Sequence, residues 1–157
     1  MAESPTLDQL IGQAEQAVQK TLGYLEGPGA SSTVRIDRWG VREIAAHLLY
    51  WHQVTAEAAL AVARGEPPRR FTSPVDDINE EVVAQYASTS TAEILAQIKG
   101  AHQTLLQAIR DLPDPDAVLM RRADGSSPTV KDRLRTIAHH WDSHLNGLMS
   151  APGAPRP

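Results

Sequence analysis

Gly65-Glu-Pro-Pro-Arg-Arg-Phe-Thr-Ser-Pro-Val-Asp-Asp-Ile-Asn-Glu-Glu-Val-Val-Ala-Gln-Tyr-Ala-Ser88 separates two long helical stretches and decides how they are arranged. Gly65 and Pro67-Pro68 end whatever helix precedes them, because proline lacks the amide hydrogen and collides with the preceding turn. Only Asp76 to Tyr86 has a helical pattern, with Ile78, Val82 and Val83 on one side. The rest is irregular chain, long enough to cross from one end of a helical bundle to the other.

Working outward, the pattern on both sides is amphipathic helix. Ser4-Pro5, overlapped by the capping box Thr6-Leu-Asp-Gln9, opens a first helix. Leu7, Leu10, Ile11, Ala14, Val18, Leu22 and Leu25 form its buried stripe, and Gly27-Pro28-Gly29 stops it. A second helix begins near Trp39, with Gly40 as cap and Glu43 reaching back, and runs to about Ala63. Beyond the connection, Ser90-Thr-Ala-Glu93 caps a third helix with apolar positions Leu95, Ile98, Leu105, Ile109 and Leu112. Pro113-Asp-Pro-Asp116 breaks the chain, and Asp124-Gly125 marks a turn closing a small hairpin from Val118 to Thr129. Ser127-Pro128 opens the fourth helix, carried by Val130, Leu134, Ile137 and Trp141 to about Met149. Four such helices without convincing strands predict an all-α fold: a four-helix bundle with a long crossover between helices 2 and 3. One domain should occupy residues 1–150, with 151–157 a disordered tail.

Composition narrows the function. With 22% charged and 41% hydrophobic residues, the chain can bury a core and is not a disordered segment. It has no cysteine, so disulfides, thiolate metal sites and cysteine nucleophiles are excluded, and any metal must be held by His, Asp or Glu. The net charge of −4, with Lys and Arg scattered, argues against a nucleic-acid partner. No apolar run approaches the roughly 20 residues that cross a bilayer, and the start lacks a signal-peptide pattern, so a cytoplasmic protein without a membrane partner is expected. Neither a nucleophile elbow nor a Gly-rich phosphate loop occurs.

The candidate chemistry lies in Thr136-Ile-Ala-His-His-Trp-Asp-Ser-His-Leu145. His140 and His144, four apart, stand about 40° from each other on one helical face and can close on a single divalent ion. His47, in Trp39-Gly-Val-Arg-Glu-Ile-Ala-Ala-His47, supplies a third nitrogen if the second and fourth helices run antiparallel, an arrangement the crossover permits. Glu43 shares the His47 face; it is either a helix cap or a group that orients a ligand or acts as base. Tyr50 and Trp51 are either cleft lining or ordinary core. His52 and His139 are rotated off the ligand faces, by about 140° and 100°. His102 falls on an inward stripe about a turn away, as core or as support for the site.

At these residues the chain resembles the DinB/YfiT-like superfamily: in the stretch Trp39 to His47, the Ile78-Asn79 segment and the terminal His140-x-x-x-His144. The resemblance implies a crossed four-helix bundle in which His47, His140 and His144 hold a divalent metal, zinc or nickel. The His-Trp-Asp-Ser-His-Leu ending is most similar to the maleylpyruvate isomerase N-terminal and ClbS/DfsB-like branches. The first implies a thiol-dependent transferase or isomerase using a low-molecular-weight thiol such as mycothiol, although those isomerases have Glu where His140 stands. The expectation is therefore metal-dependent thiol transfer to a small electrophilic metabolite, in detoxification or stress response, by a chain that can form a homodimer. Alternatives are a metal-dependent hydrolase of a reactive metabolite and a non-catalytic small-molecule-binding module.

Overall fold

The structure, a computed structural model, describes residues 2–157. Its five helices are α1 (Leu7–Glu26), α2 (Val41–Ala63), α3 (Val75–Gln85), α4 (Thr91–Arg110) and α5 (Val130–Ser150). Helix starts follow local capping chemistry. Thr6 and Gln9, Ser90 and Glu93, and Thr129 and Asp132 form reciprocal capping boxes at α1, α4 and α5. For α5 the start thus falls just after the Ser127-Pro128 expected to open it. At α2, Gly40 N donates to Glu43 Oε2 over 3.2 Å.

Packing follows the apolar stripes. α2 packs chiefly on α4, and α1 on α5. Trp141, Leu10, Leu25, Ile44, Leu49, Ile98 and their neighbours are sealed in one core. Burial of each such large apolar side chain contributes roughly 1.5–3 kcal/mol. The N-terminal turns of α2 and α4 are adjacent, with Arg42, Glu43, Ser90 and Thr91 around one shallow cleft, and His52 meets His102 farther along. These helices therefore run parallel. α2 and α5 are antiparallel: His47 meets His140, while Thr55 meets Arg133.

The connection after α2 carries two features that place the site. Strand β1 (Arg69–Arg70) pairs in parallel with β2 (Met120–Arg121), in the register Arg69 to Met120 and Arg70 to Arg121. This short ladder was not expected from the sequence, because two residues are too few to show an alternating pattern. Phe71, Ile78, Val82 and Met120 then pack with Trp51 and Val54 into a second, smaller core beneath α3. The hairpin expected over Val118 to Thr129 is present in short form: an antiparallel bridge joins those two residues, Arg122 N donates to the Ser126 carbonyl over 2.9 Å, and the chain turns at Gly125 with φ +88°. Near the C-terminus, Tyr24 Oη of α1 donates to the Pro155 carbonyl over 2.8 Å, and Ala151 and Ala154 are partly buried against the core. Among the described residues, no helix is long and apolar enough to cross a membrane.

Candidate metal centre

The buried stripe of α5, including Leu134, Ile137, Trp141, Leu145 and Leu148, fixes the rotation of this helix against the core. His140 and His144 stand at the flank of the stripe, turned toward α2, and the antiparallel α2 brings His47 opposite them. His140 Nε2 lies 3.1 Å from His47 Nε2 and 2.8 Å from His144 Nε2. Donor nitrogens of all three lie within 4.8 Å of one another.

Protons alone do not satisfy this arrangement. Trp51 Nε1, which can only donate, contacts Asn79 Oδ1 at 2.7 Å, so that atom is the amide oxygen. The same oxygen lies 3.0 Å from His47 Nδ1, which must then carry the proton. His47 Nε2 is left as a lone pair aimed at the cluster. His140 Nε2 faces two nitrogens and has at most one hydrogen to offer them. A cation satisfies all three at once. Two nitrogens on a tetrahedral zinc ion at about 2.05 Å would be about 3.3 Å apart, so the two close pairs, at 3.1 and 2.8 Å, need to part by only a few tenths of an ångström.

Electrostatics agree with ligation. Burial, aided by the neighbouring His144 charge and opposed by the Asn79 hydrogen bond, lowers His47 to about 4. Burial, with His47, His144 and Arg133 adding to it, lowers His140 to about 3. Burial also pulls His144 below the ordinary imidazole value. All three are neutral at pH 7, the form that binds metal.

The cluster opens on a cleft of about 700 Å³. Trp39 and Trp51 give it apolar walls, and Arg122, Arg133 and Asp76 give it polar ones. His139 is exposed at its rim and is not among the converging donors. Glu43 lies elsewhere: its carboxylate caps Gly40, sits 3.4 Å from Arg42, and lines the separate cleft at the start of α4. Tyr50 stacks edge-on against Trp51 but lines another depression, beside Arg69 and Phe71. His102 neighbours His52, not the trio, with their nitrogens 3.0 Å apart. Reading the chain for ligands passed over Asn79 as a functional residue; its one signal was its place in the Ile78-Asn79 segment. It also passed over Arg133, which lies on the same α5 face at spacings of four, three and four with Ile137, His140 and His144.

A mostly helical chain with three imidazoles converging in an open cleft is a candidate metalloprotein. The chain belongs to the mycothiol maleylpyruvate isomerase N-terminal domain family, whose model matches residues 11–144, and through it to the DinB/YfiT-like superfamily. No curated protein and no solved structure gives a significant match.

Proposed function

We propose that the chain is a four-helix bundle of α1, α2, α4 and α5, crossed by the connection that carries α3. We propose further that it is a divalent-metal-dependent thiol transferase acting on a small electrophile. The observation that carries this reading is the convergence of the His47, His140 and His144 nitrogens at the wall of a roomy cleft, with Asn79 fixing the His47 tautomer. Three neutral nitrogen ligands leave positions free, the pattern of a catalytic site and not of a closed structural one. Zinc or nickel bound there would supply a Lewis-acid position that lowers the pKa of a bound thiol at neutral pH.

The residues of the chain do the rest. Trp39 and Trp51 present apolar surface to the substrate carbon skeleton, and His140 and His144 on α5, with His47 on α2, would hold the ion that receives the thiol. When a thiol adds to an activated double bond, sulfur bonds one carbon and the thiol proton ends on its neighbour, so no other group has to leave. Family membership supports mycothiol as the thiol. We place this work in the cytoplasm, where thiols are kept reduced.

The test is to load the purified chain with zinc or nickel and follow mycothiol consumption with an unsaturated dicarbonyl compound. Metal-dependent conjugation that is lost in His140→Ala is the expected result. Stoichiometric metal without conjugation, but with metal-dependent hydrolysis of an ester panel, would replace transfer by hydrolysis. Failure to bind either ion would end the enzyme reading.

A further inference from the structure

Arg133 is only 3% exposed, yet no carboxylate among the described residues lies within ion-pair distance of it. The single hydrogen bond of its side chain runs from Nε to Thr55 Oγ1 over 3.2 Å. The guanidinium stands 5.9 Å from the centre of the Trp51 ring, at the wall of the metal cleft. A buried cation without an anionic partner is costly and is retained where something else completes it. A second arginine points the same way. Arg122, placed at the cleft directly after β2, stands 5.6 Å from the centre of the same Trp51 ring, and its Nε is buried without a hydrogen-bond partner. Asp76 also lines the cleft but forms no ion pair with either arginine. Burial, with the charge of Arg122 beside it, lowers Arg133 to about 9, which still leaves it charged at pH 7.

We propose that Arg133, with Arg122, is a carboxylate-binding subsite of the metal cleft, so that the small molecule taken there is an organic acid. Guanidinium is a planar fork that matches a carboxylate with two parallel hydrogen bonds, and here it stands over the Trp51 ring. Seven residues separate Arg133 from His140, two turns or about 10 Å along α5. An acid of a few carbons, anchored on Arg133, would therefore extend its other end toward the imidazoles. This deepens the function proposed above, and rests on it only in calling the acid a substrate.

Calorimetric titration of the full chain with succinate, succinamide and inorganic phosphate tests the subsite, both metal-loaded and after chelation. Succinate should bind in both states, and the uncharged succinamide at least about tenfold more weakly, the loss of a charged hydrogen-bonded pair. Arg133→Met keeps the length and volume of the side chain without its charge; it should lose succinate binding by a similar factor while keeping metal stoichiometry. Arg122→Gln, at a less buried position, should weaken succinate less and guards against a folding failure at Arg133. Equal affinity for succinate and succinamide, or unchanged succinate binding in Arg133→Met, would overturn the subsite. So would phosphate binding as tightly as succinate, which marks a general anion pocket and not a carboxylate fork. Because the chelated chain is titrated by itself, a failure here leaves the metal reading standing, and loss of metal binding leaves the subsite measurable.

Discussion

Two histidine clusters lie side by side on α2, and they are opposites. His47 belongs to the trio at the cleft, where three nitrogens converge and an amide oxygen of Asn79 fixes the tautomer. His52, five residues on, meets His102 in the core and stacks against Trp141 at 5.1 Å between ring centroids. That pair has no third donor: His52 Nδ1 and His102 Nε2 are both buried without partners. Imidazole density alone does not make a metal site. Convergence, a fixed tautomer and an open side do, and only the first cluster has them.

The comparison breaks most decisively at the ligands. His47→Ala, His140→Ala and His144→Ala should each abolish stoichiometric zinc or nickel by elemental analysis, whereas His52→Ala and His139→Ala should keep it. Because the ion binds only the folded chain, metal at a hundredfold excess over Kd should add about 2.7 kcal/mol to stability, an increment that chelation removes from wild type and cannot remove from the trio variants. Metal retained in a trio variant and lost in His52→Ala would reverse the assignment.

Asn79 comes next. Asn79→Leu removes the acceptor shared by His47 Nδ1 and Trp51 Nε1, and should weaken metal binding about 10–100-fold in competition with a chelator. Asn79→Asp keeps an acceptor for both donors and should stay near wild type. Equal affinities for the two variants would mean that the tautomer of His47 is not held from Asn79.

These effects differ in how visible they were in the chain. His140 and His144 are legible because spacing along one helix is geometry, and His47 followed from matching heights on two helices. The capping boxes at Thr6 and Ser90 were legible because they are local. Glu43 was legible only as an alternative, and its backbone bond at Gly40 leaves its carboxylate facing away from the cleft. Asn79 and Arg122 reach the cleft through the folding of the 65–88 connection and through pairing of β1 with β2, which are long-range events with no local pattern. Arg133 was not singled out, because no local pattern marks it as buried at the cleft, although its register with His140 was available in the sequence.

The smallest expected effect concerns the dry pair, and it carries a sign. Burial first, with His102 and Arg133 adding to it, lowers His52 from 6.5 to about 3 in the folded chain. Burial lowers His102 as well, against the pull of Glu15. Below pH 6.5 the unfolded chain takes up protons that the folded one refuses. The contribution of His52 to stability is therefore complete above about 6.5 and is lost progressively as pH falls toward 3. His52→Leu alone strands His102 and should cost about 1–3 kcal/mol at pH 7 in denaturant unfolding of the chelated chain. The double variant His52→Leu, His102→Leu removes both partners and both buried nitrogens, so its stability at pH 7 should return to within about 1 kcal/mol of wild type or exceed it. Its stability should also fall less steeply between pH 6 and 4. A double variant no flatter in acid than wild type would mean that the pair does not set the acid slope. Loss of metal from that variant would show that the clusters are coupled through Trp141, which would remove the contrast between them.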